Sequence, residues 1–153
     1  MSGDAGLVTY CGIYCGDCLG YTGVIAAAAE DFLDTLDKYK FYMTAKHVFP
    51  KKLGDYDRLI DMLLFLTEMK CHRICRERTD EEASCNVRDC CKARGFYACH
   101  ECRGFEQCET LGSVIGGLHL DVCLRNLREM KAMGLDTWLR DGTRHNFWDE
   151  DLP

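Results

Sequence analysis

The sequence is short of proline and of long apolar runs, and it begins without the pattern of an export signal. Only 2 prolines occur among 153 residues, which excludes a proline-rich linker. No apolar run reaches the roughly 18 residues that a membrane-spanning helix needs. The first ten residues, MSGDAGLVTY, lack both a basic start and an apolar core of signal-peptide length. We therefore expect a cytoplasmic protein with no membrane span, in a compartment where thiols stay reduced.

Positive charge is also scarce. Lys and Arg number 19 against 25 Asp and Glu, which gives a formal net charge of −6. Domains that bind nucleic acid usually present a basic surface, so this balance argues against a nucleic acid as the partner. A protein partner is compatible with this charge, although the sequence identifies none.

Cysteine, in contrast, is abundant, with 12 residues in the chain. An even number of cysteines would suit six disulfides in a secreted protein. In a reducing cytoplasm, clustered cysteines are more typical of metal ligands. The sequence therefore predicts a metal-binding protein rather than a disulfide framework.

Apolar residues recur at steps of three and four along most of the chain, which is the pattern of amphipathic helices. Asp55 and Ser84 are the expected N-caps of two of them, and Gly95 and Gly134 the expected helix ends. Only in residues 7–10 do apolar and polar residues alternate, weakly, in the manner of a strand. The sequence thus predicts a mainly α fold, several helices with Cys-rich metal-binding loops and little or no sheet. The predicted helices cover residues 22–46, 55–70, 85–94, a stretch from after Gly116-Gly117 to Met133, and a short turn at 135–139. The predicted buried face of the first consists of Ile25, Ala29, Phe32, Leu36, Tyr39 and Met43.

The spacing of the cysteines indicates which of them bind metal. Two C-x2-C pairs, Cys15/Cys18 and Cys99/Cys102, have the spacing that turns two sulfurs toward one ion. Zinc prefers four such ligands in a tetrahedron, so the chain has enough clustered cysteines for up to two sites. His72 and His100 each neighbour a candidate ligand, and whether either ligates stays open. The predicted metal ligands are Cys11, Cys15, Cys18, Cys71, Cys75, Cys85, Cys90, Cys99, Cys102 and Cys108.

Two cysteines are left out of this set. Cys123 lies within an apolar helical stripe, so we expect a buried, inert thiol whose substitution by serine leaves the metal content unchanged. In the adjacent pair Cys90-Cys91, successive helical side chains diverge, so one thiol should face metal and the other the core. Cys71 and Cys75 would share a face if the preceding helix extended by one turn.

The opening motif, CGIYCGDC, allows an alternative to zinc. Its C-x3-C-x2-C spacing holds a [4Fe–4S] cluster in radical S-adenosylmethionine enzymes, but this chain lacks their repeated β–α pattern. An iron–sulfur protein for electron transfer stays open, because four cysteines suit both metals. A site filled by four sulfurs has no open position for a substrate. We therefore expect a structural or interaction role, and we predict no catalytic residues.

The cysteine motifs resemble those of the Cys-rich family called domain of unknown function 3795. Its opening C-G-x-x-C-x-x-C-P-A-Y is similar to Cys11–Tyr21, with Leu19-Gly20 in place of Pro-Ala. Its C-x-[IV]-R-x-C motif resembles residues 85–90, and its closing C-x-x-C with a later aromatic and cysteine resembles residues 99–108, with one extra residue and no proline. Its C-x-G-C is replaced by the wider Cys71-x3-Cys75. The resemblance implies a bound metal, expected to be zinc, and no known activity. We expect residues 1–153 to form a single Cys-rich metal-binding domain, with a family-like core at 8–111 and a C-terminal helical extension at 112–153.

Overall fold

A computed structural model describes residues 4–79, 81, 84–114 and 119–149. The fold is mainly helical, and within these residues it contains no sheet; an isolated antiparallel bridge joins Val8 and Tyr14. The predicted fold class is thus confirmed. The helices that the structure describes are α1 (Leu19–Thr22), α2 (Val24–Lys38), α3 (Phe41–His47), α4 (Tyr56–Thr67), α5 (Asn86–Arg94), α6 (Glu109–Gly112), α7 (Leu120–Met133) and α8 (Leu135–Asp141).

The chain folds into two compact units. The Cys-rich unit comprises Met1–Cys18 together with Arg73–Pro153, and the helical unit comprises Leu19–His72. Within the helical unit, the amide of Cys71 donates to the carbonyl of Gly20 at 2.7 Å, so the chain enters and leaves this unit at neighbouring points. The expectation of a single domain over residues 1–153 stays a prediction.

In the helical unit, α2 packs against α4. The buried residues of α2 are Ala26, Ala29 and Leu36, and that of α4 is Leu63. The small side chains of the two alanines let the helices approach closely. The predicted buried face of α2 is therefore partly wrong. Ala29 and Leu36 are buried, whereas the other four predicted members are exposed: Ile25, Phe32, Tyr39 and Met43.

The single helix predicted over residues 22–46 is also wrong, because the chain breaks twice. Gly23 precedes α2 with a φ of +68°, and Lys40 separates α2 from α3 with a φ of +48°. The left-handed residue Lys40 redirects the chain, so α3 does not continue the apolar stripe of α2. Instead, Phe41 at the start of α3 lies 6.1 Å from Tyr56, measured between ring centroids.

The start of α4 is confirmed at Tyr56, although the side chain of Asp55 makes no capping hydrogen bond. The helix ends at Thr67, three residues before the predicted end. Cys71 and Cys75 therefore lie outside α4, so the extension by one turn on which a shared helical face depended does not occur.

In the Cys-rich unit, the predicted helix ends are confirmed where glycine marks them. Gly95 closes α5 with a φ of +67°, and Gly134 follows α7 with a φ of +84°. Ser84 does not cap α5; Cys85 occupies the N-cap position with no side-chain capping bond. The predicted start of the last long helix, at Gly116-Gly117, lies outside the described residues. The predicted short turn forms as α8.

The core of the Cys-rich unit lies between α7, α8 and the N-terminal segment. Leu127, Met130 and Trp138 are fully buried in it, together with Val8. The ring of Trp138 meets that of Tyr14 edge to face at 6.3 Å. This packing places α7 and α8 directly behind the first cysteine motif.

A segment after α8 is held against the same motif. The guanidinium of Arg144 donates to the carboxylate of Asp17 at 2.7 Å, between Cys15 and Cys18. The side chain of Asn126, fully buried in α7, accepts from the amide of His145 at 2.9 Å and donates to its carbonyl at 3.1 Å.

No helix among the described residues combines the length and the hydrophobicity that crossing a membrane requires.

Candidate metal centre

Both C-x2-C pairs form the same tight turn. The chain makes a 3₁₀ turn at Cys15–Asp17 and another at Cys99–Glu101. In the first turn, the amide of Cys18 donates to the carbonyl of Cys15 at 3.0 Å. In the second, the amide of Cys102 donates to the carbonyl of Cys99 at 2.9 Å. The tight backbone turn expected from this spacing is present at both pairs.

A second turn brings Cys11 beside the later cysteines. The amide of Thr9 donates to the carbonyl of Ile13 at 2.9 Å, which closes the loop that carries Cys11. The amide of Cys99 donates to the carbonyl of Tyr10 at 2.9 Å. This backbone bond sets the second C-x2-C turn next to the residue that precedes Cys11.

Gly12 is required where this loop meets α7. Its φ is +95°, and a Cβ built on it would lie 2.8 Å from Cγ of Leu127 and 3.1 Å from the carbonyl oxygen of Cys123. Only glycine fits both the backbone conformation and the space. The absence of a side chain at Gly12 therefore lets α7 lie directly against the loop of Cys11.

The thiol of Cys11 forms a hydrogen bond with the thiol of Cys123. This bond is the largest cause that lowers the pKa of Cys11 to about 6, against the opposing effect of burial. Thr9 adds to it, because its hydroxyl accepts from the amide of Ile13 at 2.9 Å and lies 3.2 Å from the sulfur of Cys11, to which it can donate. The same thiol bond raises the pKa of Cys123. The bond thus favours the thiolate form of Cys11 and disfavours that of Cys123.

A second thiol pair lies within the core. The sulfur atoms of Cys91 and Cys99 are 3.6 Å apart, and both residues are buried. Their hydrogen bond lowers the pKa of Cys91 and raises that of Cys99, and burial and the charges of Cys91 and Cys11 raise the pKa of Cys99 further. Cys108 also raises the pKa of Cys99, so it lies within electrostatic reach of this pair.

Two arginines lie among the thiols. Burial, with the charges of Cys11 and Cys85, raises the pKa of Cys75, and the positive charge of Arg88 opposes this rise. Arg88 has only 1% of its surface exposed. Arg76 donates to the carbonyl of Val8 at 2.6 Å and to that of Tyr97 at 2.8 Å.

The guanidinium of Arg76 also stacks on two rings. It lies 4.5 Å from the ring centroid of Tyr10 and 3.8 Å from that of Tyr97. Its charge lowers the pKa of Cys91. Cations held in this way favour thiolates, the form of cysteine that binds metal.

The structure places most of the predicted ligands in one unit. Cys71 belongs to the helical unit, and the other nine predicted ligands belong to the Cys-rich unit. None of the twelve cysteines, all of which the structure describes, forms a disulfide. Within the described residues, no three His, Cys, Asp or Glu side chains converge closely enough to hold one ion. Ligation by the ten predicted cysteines stays a prediction.

Sequence reasoning missed the contacts of two thiols, those of Cys91 and Cys123. The prediction that Cys123 is buried in an apolar face is confirmed, since it is fully buried in α7. Periodicity could not show that this face meets Cys11. Of the adjacent pair, Cys91 faces the thiol of Cys99, whereas Cys90 is half-buried. The only available signal was the adjacent pair, from which the sequence analysis assigned Cys90, and not Cys91, to the metal.

The two histidines differ in their surroundings. His72 is exposed in the helical unit. His100 lies between Cys99 and Cys102, and its Nδ1 is buried without a hydrogen-bond partner among the described residues. Burial lowers the pKa of His100, which favours the neutral form that binds metal. The thiols and this imidazole are the donors that zinc selects, so the residues present fit such an ion.

Comparison with known proteins agrees with the motifs. No curated protein and no solved structure matches the chain. A family described as proteins of unknown function matches residues 7–113, which contain eleven of the twelve cysteines and leave out Cys123. Since this match spans the cysteine motifs and most of the chain, the protein belongs to the DUF3795 family.

Proposed function

We propose that this protein binds zinc through the clustered thiols of its Cys-rich unit, in a structural or interaction role. The unit holds eleven cysteines, all reduced. Thiolates are soft ligands that suit zinc and iron–sulfur clusters and do not suit magnesium or calcium. The proposal includes a cytoplasmic location, because a reducing compartment keeps these thiols available.

One distance carries the proposal. In a tetrahedron with zinc–sulfur bonds of about 2.3 Å, neighbouring sulfurs are about 3.8 Å apart. The sulfurs of Cys91 and Cys99 are 3.6 Å apart, close to that edge. A disulfide would bring them to about 2.05 Å. This pair therefore has the spacing of two ligands of one ion.

The surrounding charges support the same function. A zinc ion with four thiolates carries a net charge of −2, which is costly to bury without compensation. Arg88 is buried beside Cys75, and Arg76 acts on Cys91. These two cations offset the charge of such a centre. A centre filled by four sulfurs leaves no position for a substrate, which favours a structural role over catalysis.

Elemental analysis of protein purified without oxygen tests the proposal. We expect colourless protein that contains zinc and retains it through gel filtration. Brown protein that contains iron and acid-labile sulfide would contradict the assignment of zinc and support the iron–sulfur alternative. Folded protein that contains neither metal, and takes up neither after reduction, would contradict metal binding altogether.

A further inference from the structure

The two long helices of the helical unit leave large apolar side chains exposed. The buried cluster between α2 and α4 consists of Ala29, Leu36 and Leu63. Two packed helices bury one stripe of each and do not enclose a core, so other apolar side chains stay at the surface. Six large ones, between 36% and 70% exposed, are Ile25, Phe32 and Tyr39 on or just after α2 and Leu59, Met62 and Phe65 on α4. We call these six residues the apolar face.

The six residues lie on one side of the helix pair. The helices run antiparallel, since Gly23 before α2 lies beside Lys70 after α4, and Phe41 lies 6.1 Å from Tyr56 between ring centroids. At about 100° per residue, the exposed stripe of α2 is rotated about 80° from its buried stripe, and that of α4 about 100° in the same sense. A two-fold axis relates antiparallel helices, so equal rotations bring both stripes to the same side.

A groove follows the part of the apolar face that α4 provides. Its volume is about 420 Å³, and Met62, Phe65 and Leu66 supply its apolar lining. Arg58 and Asp61 line it as well. The groove thus carries one charge of each sign beside its apolar floor.

The area of the apolar face is large for a surface that contacts only water. A large side chain has about 200 Å² of surface, so the exposed fractions of the six residues correspond to about 600 Å². The largest apolar patch of a typical monomer measures about 300–600 Å². Two such faces in contact would bury about 1,200 Å², the area at which specific protein interfaces begin.

We propose that the apolar face binds the same face of a second copy of this chain, so that α2 and α4 of both copies form a four-helix bundle. The bundle buries Ile25, Phe32 and Tyr39, whose spacing is that of a buried helical stripe. The inference goes beyond the proposed function, because no thiol of the Cys-rich unit takes part in it.

The charges in the groove favour a second copy over other occupants. An anionic membrane or a nucleic acid selects a surface of basic residues, whereas Arg58 and Asp61 cancel each other. In a two-fold dimer, each residue of one copy meets its counterpart position in the other. Arg58 of each copy then lies opposite Asp61 of the other copy, which gives two attractive contacts.

The molar mass of the reduced, full-length protein tests the proposal. We expect gel filtration with light scattering to give twice the chain mass of 17.5 kDa at concentrations of about 1–100 µM. Phe65→Glu places a charge within the face of both copies, so it should raise the dimer dissociation constant by at least about 100-fold. Phe65 is 67% exposed, so the helix content measured by circular dichroism should stay unchanged.

Leu64→Glu is the matched control. Leu64 is the neighbour of Phe65 in α4 and is 51% exposed, but it lies on the opposite side of the buried stripe. The same charge at this position should leave the protein dimeric.

Exchange of the two charges tests the symmetry of the contact. Arg58→Asp and Asp61→Arg each place like charges opposite each other, so each should raise the dissociation constant by about 10-fold. The double variant restores opposite charges across the two-fold axis and should recover most of the original affinity. Binding of an unrelated partner would not be restored in this way.

Four results would contradict the inference or part of it. A monomer at about 100 µM would reject a second copy as the occupant and assign the apolar face to another partner. A dimer that survives Phe65→Glu, or one that Leu64→Glu disrupts equally, would show that the interface lies elsewhere. A double variant weaker than both single variants would reject the pairing of Arg58 with Asp61.

Discussion

Replacing Gly12 by alanine should destabilise the Cys-rich unit far more than replacing a comparable glycine elsewhere. The backbone at Gly12 has a φ of +95°, and a left-handed conformation costs a residue with a side chain about 1–2 kcal/mol. The new methyl group would also lie 2.8 Å from Leu127 and 3.1 Å from the backbone oxygen of Cys123. The helix backbone cannot rotate away, so overpacking adds about 1–3 kcal/mol. We expect a total loss of about 2–5 kcal/mol in the free energy of unfolding.

Two other glycines divide this loss into its parts. Gly95 has a φ of +67° and no atom within 4 Å of the position that a methyl group would take, so Gly95→Ala measures the backbone strain alone. Gly104 has neither a left-handed φ nor a close neighbour, so Gly104→Ala should change stability by less than about 0.5 kcal/mol. The difference between Gly12→Ala and Gly95→Ala then gives the cost of moving α7.

Urea denaturation of the three variants at one pH, followed by circular dichroism, provides the measurement. The expected order of unfolding midpoints places Gly104→Ala highest, Gly95→Ala next and Gly12→Ala lowest. If Gly12→Ala costs no more than Gly95→Ala, α7 does not press on the loop of Cys11. The hydrogen bond between Cys11 and Cys123 would then lose its structural basis as well.

Two further predictions concern the ion pair at the first cysteine turn and the role of metal. Arg144→Ala removes the 2.7 Å bond to Asp17 and the stacking on Tyr14, and it should lower stability by about 1 kcal/mol, since the pair is only partly exposed. Arg140→Ala, which breaks an exposed pair, is the control; an equal loss in both variants would contradict a special role for Arg144. Removal of metal by a chelator should loosen the Cys-rich unit first, while α2 keeps its helicity, because metal binding contributes folding free energy. Hydrogen exchange measures both units at once, and unchanged protection after complete metal removal would contradict this prediction.

The sequence predicted helices best where glycine or a strong apolar stripe defines them. Gly95 and Gly134 mark the ends of α5 and α7 because a left-handed or otherwise open backbone suits glycine there. The break at Lys40 carried no such signal, since lysine rarely adopts a left-handed conformation. Local patterns therefore located most elements and missed the turn that separates α2 from α3.

The partners of individual thiols were less predictable than the elements that carry them. The C-x2-C spacing acts over four residues, so the turns at Cys15 and Cys99 follow from the sequence. The contact between Cys11 and Cys123 joins opposite parts of the chain and depends on how α7 packs. Periodicity showed that Cys123 faces inward, but only the fold determines which side chain it meets.

The helical unit is an insertion within the Cys-rich unit, and this arrangement sets the order of events during synthesis. All contacts that hold α2 against α4 join residues from Leu19–His72, so this part can fold as soon as it leaves the ribosome. The contact between Cys11 and Cys123 forms later, because Cys123 is synthesised roughly 100 residues after Cys11. At about 5–20 residues per second this delay is on the order of 10 s. During that interval the nascent chain presents Cys11 without the helix that later lies against its loop. The thiol of Cys11 is thus most open to oxidation before the synthesis of the chain is complete.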